Sequence, residues 1–239
     1  MISTLKKEVY IPIEIKPREF VSQLLLSGEL AKMGLRVYLG SKGAIDNLIS
    51  YKSKKNGVYL YKGGGGSINK FKSIDKYVES IAVLDQEIIP RDYEINIKNR
   101  FVKGSLKYVS SLYYIGFEAK KAATKILENV KPSQIKAYGW PRVELWKPSL
   151  NHIWNDQIKD IKSRFPDPYI FFCSDFGTNT QNLVDERCIQ TEKRGRKKTK
   201  EDIEWFKNDF TNHYNNFLDF VEFLSVLNED NDIPNIIIR

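Results

Sequence analysis

The chain has 239 residues, of which 41% are hydrophobic and 13% aromatic, with 38 Lys and Arg against 30 Asp and Glu. That apolar content excludes a disordered or low-complexity chain. Two cysteines, Cys173 and Cys188, exclude a disulfide framework and a four-ligand zinc site, and no apolar run reaches the roughly 18 residues of a membrane span.

In chain order, Val9–Ile15 (VYIPIEI) reads as a β-branched strand. Pro17 suits a first helical turn, Phe20, Leu24 and Ala31 mark a helical apolar face, and Gly34 ends that helix. Arg36–Gly40 is a second strand and Ala44–Ser50 a short helix. Val58–Lys62 is a third strand, followed by Gly63–Gly66 and a helix over Ile68–Glu79. Ile81–Gln86 is a fourth strand, and a helix is expected from Tyr93 to Tyr108. A fifth strand lies near Ser111–Phe117, a helix over Glu118–Val130, and a sixth strand at Ile135–Gly139. This alternation predicts an α/β fold, a Rossmann-like, mostly parallel sheet with helices on both faces. Ligands of such sheets sit beyond the carboxyl ends of the strands.

After Gly139 the pattern changes. Residues 143–168 read as a connector, with a helix over Leu150–Arg164 interrupted by Phe165–Pro168. Tyr169–Ser174 begins a second α/β unit, 169–239, against a first unit of 1–142. In the second unit a polar loop and the basic run Lys193–Lys200 precede a long helix. That helix has Phe206, Phe210, Phe217, Phe220 and Leu224 at spacings suited to one buried face. Asn235–Arg239 is another strand. Two strands enclose little core, so this unit is expected to pack on the first or to be the opening part of a larger domain.

Charge is unevenly spread. Asp202–Arg239 holds eight acids and two bases, which leaves a strongly basic body. A basic body favours anionic partners; Lys193–Lys200 reads first as a solvated, mobile loop, with nucleic-acid phosphates, a lipid-linked acceptor or an anionic membrane surface as a peripheral contact for alternatives. No RNA-recognition, KH or helix-turn-helix pattern supports a nucleic-acid partner. The N-terminal MISTLKKEVYIPIEI lacks the apolar core of a signal peptide, and a cytoplasmic location is expected.

Several segments carry a family resemblance. The opening YIPIEIKPREF, the acidic Asp85-Gln86-Glu87, the turn Gly139-Trp140-Pro141-Arg142, the segment Phe172–Asn182 (FCSDFGTNTQN) and the final Ile236–Arg239 stand in order. Together they resemble bacterial surface carbohydrate biosynthesis proteins. These are related to the capsule and lipopolysaccharide Kdo transferases, and more loosely to glycerophosphate polymerases of wall teichoic acids. The resemblance implies a glycosyltransferase-B fold, two Rossmann-like domains facing a cleft. It implies transfer of a sugar, such as a Kdo-like acid from its CMP form, to a glycan or lipid-linked glycan acceptor. The donor is a substrate, and no metal or cofactor is implied. Departures are Gln86 and Ile88 where an acid and a glycine are expected, and Trp140 where the family has Asn. The chain also stops at Arg239, where the family continues with Pro-His-Pro, so the 239 residues alone are expected not to transfer sugar.

By that resemblance Glu87 is the general base that takes the acceptor hydroxyl's proton, with Asp85 orienting or charging the site. Glu14, Arg18 and Glu19, at the first strand-to-helix turn, fall on the acceptor side. The alternative there is helix N-terminal acids offsetting the macrodipole with Arg18 paired outward. Arg142, Gly177, Thr178, Asn179 and Arg239 fall on the cleft or donor side. Other groups are read more plainly. Gly63–Gly66 lack a following Lys-Ser/Thr pair and read as a mobile flap, not a phosphate loop. Asp230-Asn231-Asp232 converges too few oxygens for a metal. His213 lies on the apolar stripe of the long helix as a packed histidine, and His152 has no ligand partners at zinc-like spacing. The non-enzyme alternative is a glycan- or nucleic-acid-binding α/β module.

Overall fold

The computed structural model describes residues 7–63, 68–88, 93–102, 104–165, 168–173, 199–229 and 232–238. The chain forms two compact units, Met1–Ile153 and Trp154–Arg239.

The first unit is an α/β domain on a six-stranded parallel sheet. Its elements are β1 (Glu8–Ile13), α1 (Lys16–Lys32), β2 (Arg36–Ser41), α2 (Lys42–Ser50), β3 (Val58–Lys62), α3 (Ile68–Asp75), β4 (Ser80–Leu84), α4 (Tyr93–Arg100), β5 (Val109–Tyr114), α5 (Phe117–Ile126), β6 (Ile135–Ala137) and α6 (Pro141–Glu144). The strand order is β2-β1-β3-β4-β5-β6. β1 pairs with β2 over its whole length and with β3 through Val9↔Val58 and Tyr10↔Tyr59. The chain steps from β1 to β2 in one direction and then crosses back to lay β3 on the other side of β1. That reversal is a topological switch point, and the crevice beyond the carboxyl ends of the flanking strands is where such sheets take ligands.

The core lies on one face. Tyr10, Tyr59, Ile81, Val83, Leu112 and Tyr114 project from the strands onto Ile45 and Ile49 of α2, Phe71 and Ile74 of α3, Ile97 of α4 and Ala119 and Ala123 of α5. The period-two alternation of strands sends Leu60 and Ala82 to the opposite face. There α1 and α6 leave an apolar groove of about 640 Å³ between them.

Helix α1 departs from expectation. Its buried residues are Glu19, Ser22, Gln23 and Ser27, whereas Phe20, Leu24 and Ala31 are exposed. The serine hydroxyls are satisfied within the helix, Ser22 donating to the Glu19 carbonyl at 2.9 Å and Ser27 to the Gln23 carbonyl at 2.7 Å. Back-bonded small side chains let a polar helix face pack closely, and Glu19 has charged work at the helix start. Several other boundaries move, two of them with a change of helix type. The helix expected over 93–108 ends at Arg100; Gly104, at φ +82°, opens a separate 3-10 turn over Ser105–Tyr108. The helix expected from Leu150 begins as a 3-10 segment, Pro148–Trp154, before α7 (Asn155–Arg164).

At the amino ends of the strands sits a buried acid. Glu8 accepts hydrogen bonds from the hydroxyls of Tyr10 and Tyr38 and from Lys52 Nζ at 3.0 Å, with Arg36 3.6 Å away. Burial raises its pKa, but the hydrogen bonds from Tyr10 and Lys52 outweigh it and hold the carboxyl below its ordinary value. The same burial acts on the core phenols. Tyr10, Tyr59 and Tyr114 are displaced upward from 10.0, first by burial and then by Glu8, Asp46 and Asp85 respectively. A pKa raised in the folded state favours folding while the phenol is protonated. That contribution is lost as pH rises from 10 through the folded values. In an alkaline titration, part of the tyrosinate absorbance is expected only together with loss of the far-UV circular dichroism. Complete titration of all 13 tyrosines with the dichroism intact contradicts this.

The second unit contains α7, β7 (Tyr169–Phe172), α8 (Lys200–Asn228) and β8 (Asn235–Ile238). β7 and β8 pair in parallel from Tyr169↔Asn235 to Phe172↔Ile238. Phe172 meets Phe220 edge-on, ring centroids 5.5 Å apart, and Phe223 at 6.1 Å. The buried stripe expected on α8 is only half-buried at Phe210, Phe220 and Leu224, and Phe217 is exposed. Among the described residues this unit's sheet has two strands, too narrow to cover a helix of 29 residues. His213 is exposed and lies 3.6 Å from Asp209 one turn away; it is not the packed histidine its position on the stripe suggested. Among the described residues no helix is long and apolar enough to cross a membrane.

Candidate functional site

Six of the residues singled out in the sequence meet at the switch point. Glu14 follows β1, and Arg18 and Glu19 lie in the first turns of α1. Asp85, Gln86 and Glu87 follow β4 at the same edge. Between these two groups stands Lys62, the last residue of β3, which the sequence reading passed over. It shares a sheet face with Leu60 and reaches three carboxylates. Its Nζ is 2.6 Å from Glu19 Oε1, 3.0 Å from Glu87 Oε1 and 3.7 Å from Glu14 Oε2.

Glu19 does two things. Its Oε2 accepts the backbone N–H of Glu14 at 2.9 Å and its Oε1 that of Ile15 at 3.3 Å. It thereby satisfies donors left open at the helix start, where Ile15, the N-cap residue, offers no side-chain acceptor. It also binds Lys62 from a side chain that is 5% exposed. The macrodipole alternative for Glu19 thus describes part of its role. Arg18 does not pair outward; its Nη2 reaches across to Glu87 Oε1 at 3.0 Å.

Arg100, at the end of α4, completes the array. It grips Asp85 with two bonds, Nη2 to Oδ1 at 2.6 Å and Nε to Oδ2 at 2.9 Å, and stands 3.5 Å from Glu87 Oε2. Asp85 is 1% exposed, so it holds Arg100 and, through its own Oδ1, the backbone N–H of Glu87 at 3.2 Å. It positions the loop and offers no open face. Gly63 makes room for this contact: it adopts φ +68°, and a Cβ there would lie 2.7 Å from Arg100 Nη2. Gly64–Gly66, expected as a flap, lie outside the described residues. On the far side, Arg142 of α6 donates to the Gln86 carbonyl at 2.7 Å, so it braces the same loop from behind. Lys42 pairs with Glu14.

Like Glu14, at 36%, Glu87 is open, with a side chain 37% exposed. Burial pushes its pKa up, but the hydrogen bond from Lys62 and the charges of Lys62, Arg100 and Arg18 outweigh it and hold the carboxyl below its ordinary value. Glu87 is therefore ionised at neutral pH, and its affinity for a proton is reduced. For Lys62 the balance runs the other way, burial opposed and exceeded by Glu19 and Glu87, so its ammonium is held charged. Four carboxylates (Glu14, Glu19, Asp85, Glu87) face four cations (Arg18, Lys42, Lys62, Arg100). Such an array offers donors and acceptors side by side and attracts neither sign of ion strongly.

Along the same edge Tyr113 and Tyr138 pair with ring centroids 5.9 Å apart, and Tyr138 is 75% exposed. Gly177, Thr178, Asn179 and Arg239 lie outside the described residues, as do Cys188, Lys193–Lys198, Asp230 and Asn231. His152 is exposed, its Nδ1 3.0 Å from the Ser149 carbonyl. Among the described residues no group of three or more His, Cys, Asp or Glu side chains could hold a metal ion.

Lys62 and Arg100 had one legible signal. A lysine closing an apolar strand on the same parity as Leu60 must point along the strand's carboxyl edge. An arginine ending the helix that follows an acidic loop lies within reach of that loop. Comparison with protein-family models, with curated proteins and with solved structures found no match to this chain.

Proposed function

We propose that the first unit binds the acceptor glycan in a glycosyltransferase-B-like transfer of bacterial surface polysaccharide assembly, the sugar coming from a nucleotide-sugar donor. The single observation behind the reading is the charge-balanced array around Lys62, at the switch point of a parallel sheet. A sugar hydroxyl is both donor and acceptor. A surface that alternates ionised carboxylates with guanidinium and ammonium groups answers both halves with charge-assisted bonds. A polyanion such as nucleic acid would instead need cations in excess. The exposed Tyr138 ring adds an apolar platform on the same edge.

In this reading Glu87 receives the acceptor hydroxyl. Its lowered proton affinity makes it a weak base while Arg18, Lys62 and Arg100 surround it. A hydroxyl that displaces the half-exposed Arg18 from Oε1 removes one of the three cations, and the proton affinity of the carboxylate rises as the acceptor seats. The same lowered affinity favours a second reading, a glycan-binding module without catalysis.

The test is saturation-transfer NMR with a panel of bacterial surface oligosaccharides, on the parent chain and on Glu87→Gln. Binding is expected to weaken at least tenfold, about 1.4 kcal/mol, with little change in Tm. Equal binding by both chains, or none by either, refutes the proposal. Adding a CMP-sugar to the same samples tests catalysis: transfer that Glu87→Gln abolishes supports it.

A further inference from the structure

The rim of the Lys62 array holds two groups of opposite sign whose bonding capacity is unfilled. Arg18, with a side chain 45% exposed, uses Nη2 alone, on Glu87 Oε1. A guanidinium presents a fork of N–H donors, and the other nitrogens of Arg18 meet no acceptor among the described residues. Glu14 accepts from Lys42 through Oε1. Its Oε2 lies 3.7 Å from Lys62 Nζ, beyond hydrogen-bond distance, and among the described residues accepts no other bond. Lys62 Nζ, 3.0 Å from Glu87 Oε1, joins the two sides. By contact the order is Glu14, Lys62, Glu87, Arg18. An open anion and an open cation thus flank the carboxylate that the carbohydrate reading gives to the acceptor hydroxyl.

Such a rim suits no single charge. A hydroxyl that takes Glu87 Oε1 releases Arg18, and a neutral sugar leaves that guanidinium without a carboxylate. An anionic sugar answers Arg18 but adds a negative charge beside Glu14 and Glu87. A cationic sugar answers Glu14 but adds a positive charge beside Arg18 and Lys42. A ligand with both charges answers each open group and keeps the array neutral.

We propose that the sugar residue bound at this site is zwitterionic, its carboxylate received by the Arg18 fork and its ammonium by Glu14 Oε2. The planar guanidinium suits two parallel bonds to a carboxylate. The inference rests on the carbohydrate reading and names the substrate class within it.

The experiment compares four sugars on one scaffold. Muramic acid carries both charges, N-acetylmuramic acid the carboxylate alone, glucosamine the ammonium alone, and N-acetylglucosamine neither. Their affinities for the full chain are measured by NMR titration at low salt and mildly acidic pH, where both amines are charged. Muramic acid is expected to bind about three- to tenfold more tightly than either singly charged sugar, the worth of one charge-assisted bond at a half-exposed site. N-acetylglucosamine is expected to bind most weakly. Arg18→Gln is expected to erase the advantage of muramic acid over glucosamine, and Glu14→Gln its advantage over N-acetylmuramic acid. Both side chains are half-exposed, so the far-UV dichroism of each variant is expected to be unchanged; if either fails to fold, the ranking on the parent chain decides. Equal affinity for all four sugars overturns the inference and leaves the carbohydrate reading in place. So does tighter binding of a singly charged sugar, or an advantage of muramic acid that survives both substitutions and so reflects the bulk of the lactyl and acetyl groups. Absence of binding by all four also overturns it, and the carbohydrate reading is then decided by the oligosaccharide panel.

Discussion

Lys62→Met is expected to destabilise the protein by about 3–5 kcal/mol, the cost of removing one partner from a buried ion pair. Methionine keeps the apolar stem against the sheet but removes the charge. Glu19, on a 5% exposed side chain, then has lost its closest cation. Glu87 loses a cation as well, but at 37% exposure water screens that loss and its share is small. The decisive control is Lys62→Met with Glu19→Gln. Once the buried charge is gone the double variant is expected to recover at least half of the loss. Urea denaturation with matched m-values measures both. A single-variant cost below about 1 kcal/mol, the range of surface pairs, contradicts the central place given to Lys62.

Gly57→Ala is the second large effect. Gly57 holds φ +76° in the turn before β3, and a Cβ there would lie 2.1 Å from the carbonyl oxygen of Glu8 and 2.7 Å from its carbon. Those are backbone atoms of a strand paired on both sides, so they have little freedom to retreat. The Gly57 carbonyl also accepts from Glu79 and Ser80, which anchors the turn from behind. The left-handed conformation alone costs a non-glycine residue about 1–2 kcal/mol; with the overlap, a total above about 3 kcal/mol is expected. Gly34→Ala is the comparison. Gly34 has φ +86° but nothing within 4 Å of its added Cβ, so it should show the conformational cost without the clash. Thermal and urea denaturation of both variants check the difference. Equal costs would show that β1 yields at Glu8.

The strands were the legible part of this chain. Val58–Lys62 is bounded in the structure as its β-branched and aromatic run predicts, and the β-α alternation leads directly to a parallel sheet. Strand order is not written in that alternation. It depends on which side of β1 the third strand takes, and the order decides that Glu14, Lys62 and Glu87 meet. Helix α1 misleads because periodicity counts apolar residues, and here the inward positions are Glu19, Ser22, Gln23 and Ser27. The burial of Glu19 depends on a partner, Lys62, far away in sequence. Asp85 and Glu87 could be found because an acidic pair just past a strand is visible locally. Their division of labour could not. Burial separates Asp85, closed by Arg100, from the open Glu87, and only three-dimensional packing assigns it. On α8 the apolar spacing was read correctly, but the width of sheet available to cover it was not in the helix's own sequence.

The order in which the sheet is built has a kinetic side. β1 and β3 are neighbours, yet α1, β2 and α2 intervene in sequence, so their pairing closes a long loop and must wait for that excursion to finish. Contacts of high sequence separation slow folding. The Lys62 array spans this same seam, with Glu14 and Glu19 on one side and Lys62 and Glu87 on the other. Before the seam closes, these charges remain hydrated and gain nothing from one another. Once it closes, a register slip of one residue turns Lys62 to the face of Tyr61 and strands Glu19 without its cation. The array therefore acts as a proofreading step in assembly: it rewards only the strand alignment that also completes the site.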